Sequence, residues 1–463
     1  MQITYEMIRS WHNIKGNVSS MKEIAEWIEE RKKTAKVEIR KVDFSYNGFW
    51  YYDEKDGYIR NENNSFFQLA GYQEIEDDRI VREQPIIIQN EIGYLGIICK
   101  MVQGTMNFLM QAKIEPGNIN VIQISPTIQA TKSNFSKLHG GSTPAYLEYF
   151  QNAKAHTVVV DQLQSEQSSR FYKKRNRNII LYVDGPIEVK DSHKWMTLGQ
   201  IKECMKIENL VNMDTRTVLS CIPFAKASMQ EQELEESKEL FRDRALYNSI
   251  FKSVDRGEIH RIFRVMNDYK MYQKETFRLV PLKSLKGWKM TPTEIVCKTP
   301  YDFKVIYCFI EIEGREVKYW EQPLMEANGM AVFGIFSAVF DGMRKFLVRV
   351  RPEMGCFDSA ELGPVVQMEP TNQRKDLDAM ERLFFEKLEK KEGIMHNHIL
   401  SEEGGRFFHE QNQNVIIDLK GTEEIKEVPE SYFWVDYATV NQMIQYNNCV
   451  NIQLRNLLSL LQI

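Results

Sequence analysis

Apolar and polar residues along this chain follow two different periods. From Met21 to Arg31 the apolar positions Ile24, Trp27 and Ile28 recur at three and four residues, which predicts a helix with one buried face. Strand-like runs follow at Val37 to Phe44, Phe49 to Tyr52, Phe66 to Ala70, Arg79 to Gln89, Tyr94 to Met101 and Met106 to Lys113, and Asn-Gly, Asp-Gly and Gln-Gly pairs mark turns between them. A long polar loop, Ser125 to Pro144, leads to a short predicted helix at Tyr146 to Asn152. Strands are then expected over Val158 to Gln164 and in a segment ending Ile179 to Val183, with helices over Met196 to Asn209 and Met213 to Cys221. The acidic stretch Met229 to Phe241 reads as a solvated linker helix. Helices near Asp243 to Ser253 and Ile259 to Tyr272 and strands from Phe277 then repeat the order.

The repetition extends to residues. Gln84-Pro85 returns as Gln322-Pro323, Gly96-Ile97 as Gly334-Ile335 and Phe108-Leu109 as Phe346-Leu347, all at an offset of 238. Gln123 and Pro126-Thr127 match Gln367 and Pro370-Thr371 at an offset of 244. Ser165-Glu166, Arg170-Phe171, Asn176 and Asn178 match Ser401-Glu402, Arg406-Phe407, Asn412 and Asn414 at 236, and Val211-Asn212 and Arg216 match Val450-Asn451 and Arg455 at 239. So long a period is a domain duplication rather than a solenoid. Two α+β domains are expected, 1–235 and 236–463, each a mixed curved sheet with flanking helices.

Composition narrows the function classes. A net charge of −4 gives no pull toward nucleic acid or anionic membrane. The seven cysteines are scattered, without a CxxC pair, which argues against a zinc ribbon or a disulfide framework and suits a reducing compartment. The start of the chain has no signal-peptide pattern, and no apolar run approaches the roughly 18–20 residues of a membrane span. The expectation is a cytoplasmic protein with no membrane or nucleic-acid partner.

The two copies can be compared for chemistry, because a residue that only one copy has is not required by the fold alone. In Arg170–Val183, a strand would put Lys173, Arg175 and Arg177 on one face and Lys174, Asn176 and Asn178 on the other. The second copy keeps the asparagines as Asn412 and Asn414 and replaces the two arginines by Gln411 and Gln413. Arg175 and Arg177 are therefore the better ligand candidates, since guanidinium forks suit a diphosphate, although an exposed charged edge is the simpler reading of such a strand. In the loop, Thr127 and Gln129 are shared with Thr371 and Gln373, whereas Ser125, Thr131, Asn134 and His139 occur only in the first copy. Hydroxyl and amide groups in that number suit a sugar. Glu166 has a partner in Glu402, so a structural role and a catalytic one stay equally open. His396 and His398 alternate on a strand but lack a third metal ligand at a sensible spacing.

The motifs QISPTIQATKSNF (Gln123 to Phe135), YLEYF (Tyr146 to Phe150), LQSEQSSRFYKKRNRN (Leu163 to Asn178) and SEEGGRFFHEQNQN (Ser401 to Asn414) resemble those of the NDP-hexose 2,3-dehydratases of deoxysugar biosynthesis, over nearly the whole chain. The resemblance implies two Nudix-like domains arisen by duplication, a homodimer, and one catalytic pocket of two. It also implies a nucleotide-linked 4-keto-6-deoxyhexose substrate, typically thymidine-linked. No cofactor and no metal are implied, and an NADPH-dependent 3-ketoreductase is expected downstream. Ser168-Ser169 departs from the glycine-containing turn of the pattern, and the second-copy loop is shortened and has drifted. The acidic box of Nudix hydrolases is absent, which argues against pyrophosphate cleavage.

In that reading the acid/base residues are His139 or Glu166, and Ser125, Thr127, Gln129, Thr131 and Asn134 hold sugar and enolate oxygens. Arg170, Arg175 and Arg177 neutralise the diphosphate, Tyr146 stacks on the base or donates to the sugar, and Gln164 and Asn176 complete the pocket. Thr371, Gln373, Glu402, Arg406 and Asn412 would form the degenerate second pocket, unless one pocket draws on both halves. The alternative in another class is a nucleotide-sugar-binding protein without catalysis.

Overall fold

The computed structural model describes residues 3–64, 66–132, 143–224, 229–252, 254–313, 317–372, 374–420, 425 and 427–463. The duplication is plain in the sheets. In the first half, Gly93–Val102 lies between Arg175–Tyr182, parallel to it, and Thr105–Ile114, antiparallel to it. Thr157–Ser165 and His193–Met196 extend this sheet on its two sides, and it has seven strands in all. The second half repeats it around Ala331–Phe340, flanked by Gln411–Leu419 and Met343–Pro352. Each half also has a six-stranded sheet, and here strands are exchanged. Val37–Lys41 pairs with Phe303–Ile312 of the second half, and Thr276–Val280 pairs with Gln68–Glu76 of the first.

Strand register corrects one sequence alignment. Leu95 faces Gln129 and Gly96 faces Ile128; Phe333 faces Gln367 and Gly334 faces Val366. The offset therefore stays at 238 through the loop, and the twin of Gln129 is Gln367. The Pro-Thr match at 244 is a coincidence of short strings, so Thr371 and Gln373 are not equivalents of Thr127 and Gln129. Side-chain bonds agree: Gln129 Nε2 donates to Glu115 Oε1 at 2.8 Å, as Gln367 Nε2 does to Glu353 Oε1 at 2.6 Å.

Repeated residues have repeated structural work. Gly96 and Gly334 leave room for the rings of Phe150 and Phe384, which any Cβ would strike. Those rings come from the helices Leu147–Gln151 and Ala379–Lys390. Asn212 and Asn451 cap the helices Met213–Ser220 and Ile452–Ser459 by accepting from the third residue on. The acidic stretch forms the helix Glu231–Leu240.

The halves grip each other through a turn in each. Gln84 Nε2 donates to Ser169 O and Gln322 Nε2 to Gly405 O, both at 2.6 Å, so each turn is fastened inside its own half. Each turn also leans on the other half. Lys173 N donates to Gly355 O at 2.7 Å and His409 N to Gly117 O at 2.9 Å. Ser165 Oγ donates to Glu361 Oε2 at 2.7 Å, Arg455 donates to Ser165 O, and Arg216 donates to Ser401 O at 2.8 Å. The largest apolar core runs through both halves, from Met7 to Leu461.

Candidate active site

A cavity of about 420 Å³ opens beside the first seven-stranded sheet, within the roughly 300–1,000 Å³ of small-molecule sites. Its wall is charged and comes from both halves. The first half supplies Lys113, Glu115, Gln129, Thr131, Glu166, Lys174, Asn176 and Asp214; the turn of the second supplies Glu403 and Arg406. Aromatic rings of Phe49, Phe66, Tyr319 and Trp320 line another part of it.

Strand alternation decides which face of Arg175–Tyr182 matters. Lys174 and Asn176 face the cavity. Asn176 Nδ2 donates to Glu166 Oε1 at 2.6 Å, and Asn176 Oδ1 accepts from Gly93 N at 3.2 Å, so one carboxylate oxygen of Glu166 is fixed. Its other oxygen, Oε2, is buried without a hydrogen-bond partner among the described residues. Lys174 Nζ donates to Glu91 O. Burial pushes Glu166 above its ordinary range, against the pull of Lys174, Arg455, Asn176 and Arg406. Burial draws Lys174 down to about 8 and pushes Glu403 up to about 8, the latter reinforced by Glu115. Asp214 is held well above its ordinary range by burial and by Glu166, Glu403 and Glu115. So many buried carboxyls set close together cannot all ionise, which is the condition for acid and base to coexist.

Of the residues expected from sequence, Gln129, Thr131, Glu166, Asn176 and Arg406 meet at this cavity, Arg406 in the first pocket rather than the second. Others lie elsewhere. Arg175 stacks on Phe357 at 3.9 Å, and Arg177 forms a two-pronged pair with Asp161 at 2.7 Å per bond, so both serve the opposite sheet face. Arg170 pairs with Glu369 at 2.9 Å and lies on Phe303 at 4.3 Å, on the second half's side. Thr127 accepts from Ile98 N at 2.9 Å and donates to Leu109 O, tying strands together. Tyr146 accepts from Lys190 N at 3.0 Å and donates to Glu188 O at 2.9 Å, where it fastens a loop. Ser125 donates to Gln123 O at 3.5 Å, and Gln164 donates to Ile444 O at 2.7 Å. Thr371 donates to Asp302, and Glu402 accepts from Asn412. Asn134, His139 and Gln373 lie outside the described residues. His396 and His398 stand 5.7 Å apart, and no group of three metal-ligand side chains is found among the described residues.

Lys113, Glu115, Lys174, Asp214 and Glu403 escaped the sequence reading. Comparison of the two copies marks three of them, Lys174, Asp214 and Glu403, and the corrected register adds Thr131. In the second half Lys174 becomes Glu410, Asp214 becomes Gln453, Thr131 becomes Glu369, and the twin of Glu403 is Gln167 of the first half. The second site thus lacks the lysine, and its own Glu369 neutralises Arg170.

The matched profile is described as NDP-hexose 2,3-dehydratase, over residues 21–222 and again over 259–461. The chain belongs to the NDP-hexose 2,3-dehydratase family. It is 35% identical over 439 residues to a dTDP-4-dehydro-6-deoxy-alpha-D-glucopyranose 2,3-dehydratase of Saccharopolyspora spinosa, covering 94% of this chain and 89% of the relative. Proteins of the same name from Amycolatopsis orientalis (34% over 447 residues, 94% and 89% covered) and Streptomyces violaceoruber (35% over 440 residues, 94% and 95% covered) are similarly related. The two profile matches fall on the two halves that the sheets define.

Proposed function

We propose that this chain eliminates water across C-2 and C-3 of a thymidine-diphosphate-linked 4-keto-6-deoxyhexose, giving the 3,4-diketo-2,6-dideoxy sugar. The C-4 ketone acidifies the hydrogen on C-3. Glu166 takes that proton through its open oxygen while Asn176 holds the other, and the negative charge moves to the C-4 oxygen. Lys174, Lys113 and Arg406 are the cations of the cavity wall, placed to balance the diphosphate and the developing enolate. Gln129 and Thr131 present amide and hydroxyl groups to the sugar. The aromatic wall of Phe49, Phe66, Tyr319 and Trp320 suits the thymine base.

The observation that carries this reading is the oriented carboxylate of Glu166, with one oxygen unpartnered among the described residues, in a cavity whose wall holds both acids and cations. The test is mass spectrometry of the thymidine-linked 4-keto-6-deoxyglucose after incubation, with a 3-ketoreductase and NADPH to trap the product. Loss of one water is expected; intact substrate that still binds tightly would leave a binding protein instead. A Nudix-like ancestry, a homodimer, a cytoplasmic location and a partner 3-ketoreductase belong to the same proposal. Among the described residues no helix is long and apolar enough to cross a membrane.

A further inference from the structure

One carboxyl of the cavity has no structural employment. Asp214 stands on the first turn of the Met213–Ser220 helix and is 1% exposed. Both of its oxygens are buried and find no hydrogen-bond partner among the described residues. Its neighbours in the cavity are accounted for differently. Glu166 is oriented by Asn176, Glu115 Oε1 accepts from Gln129, and Glu403 Oε1 accepts from Gly405 N at 2.8 Å. The Asn212 cap of the same helix donates to Gln129 Oε1 at 3.2 Å, which fixes the first turn against the cavity wall. The twin helix carries Gln453 at this position, equally buried, with both amide atoms unpartnered. The fold therefore accepts a neutral amide here, and the carboxyl of the first half is free for chemistry.

We propose that Asp214 is the catalytic acid that protonates the departing C-2 hydroxyl. The proposal rests on the dehydration reading above. The groups that face Asp214 are Glu166, Glu403, Glu115 and Lys113, with Arg216 on its own helix. Three carboxyls against one lysine hold it in the protonated form that a donor needs. The step balances. Glu166 removes the C-3 proton and the electron pair forms the enolate; the enolate re-forms the C-4 carbonyl, a double bond forms between C-2 and C-3, and the C-2–oxygen bond breaks. The leaving oxygen takes the Asp214 proton and departs as water. The enol left at C-3 then ketonises: its hydroxyl proton returns to Asp214, and C-2 takes the proton held by Glu166. Both carboxyls end as they began.

The test is Asp214→Asn in deuterium oxide with the thymidine-linked 4-keto-6-deoxyglucose, reading water loss by mass spectrometry and deuterium at C-3 of recovered substrate by NMR. Water loss should fall by about a hundredfold or more, with KM little changed and C-3 exchange still running. A merely structural role would slow exchange and elimination together. That result in a folded, substrate-binding variant, or near-normal water loss, would overturn the assignment. Should Asp214→Asn fail to fold, Asp214→Gln carries the residue of the twin helix and gives the same reading. Absence of water loss from the unaltered enzyme would instead sink the dehydration reading, and this proposal with it.

Discussion

Replacing Arg406 by methionine asks whether a residue of the second half sustains the site of the first. Methionine keeps apolar contact with the rings of Phe66 and Phe67, which lie 4.4 and 4.6 Å from the guanidinium, and removes the charge. Two hydrogen bonds go with it, Nη1 to Gly405 O at 2.8 Å and Nη2 to Gln89 Oε1 at 3.1 Å. Bonds from a charged donor contribute roughly 1.5–3 kcal/mol each, and the stacked cation about 1 kcal/mol more. Burial draws the guanidinium below its usual range, so about half of this is offset by no longer burying a cation. The net loss is on the order of 3 kcal/mol, or roughly 6–12 °C in Tm for a unit of this size. The carboxyls of Glu403, Glu91, Glu115 and Glu166 also lose a facing charge. Glu403 is already pushed up to about 8, so the folded state binds the extra proton and stability falls as pH rises from the unfolded value of about 4.3 to 8. The variant should carry that fall further, above pH 8. Calorimetry across pH and steady-state turnover are the assays. Arg170→Met, which removes the twin residue, is the control: it should lose similar stability and keep turnover near normal. Equal loss of turnover in both variants, or an unmoved Tm in Arg406→Met, would refute the asymmetry of the two sites.

Asn176→Ala should lower kcat about tenfold to a hundredfold, the worth of one charged hydrogen bond, whereas Asn412→Ala should destabilise without touching kcat; steady-state kinetics of the pair decide it. Arg177→Ala should leave KM within about twofold and cost at most about 1 kcal/mol, because its pair with Asp161 is partly exposed and away from the cavity; a large rise in KM would restore it to the diphosphate site. Buried Lys202 donates to Ser459 O at 2.6 Å and Leu461 O at 3.1 Å, and burial draws it down to about 7. Between pH 7 and about 10.4 the unfolded chain binds the extra proton, so Lys202 makes stability rise with pH over that window, and Lys202→Met should flatten that slope in denaturant melts.

Much of the fold was legible because the duplication supplied two readings of each element. Helices and strands with strong periodicity, such as Met21–Thr34 and Arg79–Ile88, lie where the pattern put them. The site was less legible, for three physical reasons. A strand shows its two faces in sequence but not which one meets the cavity, so Arg175 and Arg177 were preferred to Lys174. Short strings align by chance, so Pro126-Thr127 was set against Pro370-Thr371 and Thr131 missed its true twin, Glu369. Arg406 and Glu403 reach the cavity from more than two hundred residues away, across a contact that no local pattern encodes.

The exchanged strands have a consequence for how the chain is made. Val37–Lys41 leaves the ribosome early, but its hydrogen-bonding partner, Phe303–Ile312, emerges only when about two-thirds of the chain has been made. At roughly 5–20 residues per second the nascent protein waits on the order of half a minute with an unsatisfied edge strand. Strand edges of that kind invite pairing with other chains. Translation speed across this interval therefore belongs to the folding problem as much as the sequence does, and pausing there would favour tangled neighbours over the native partner.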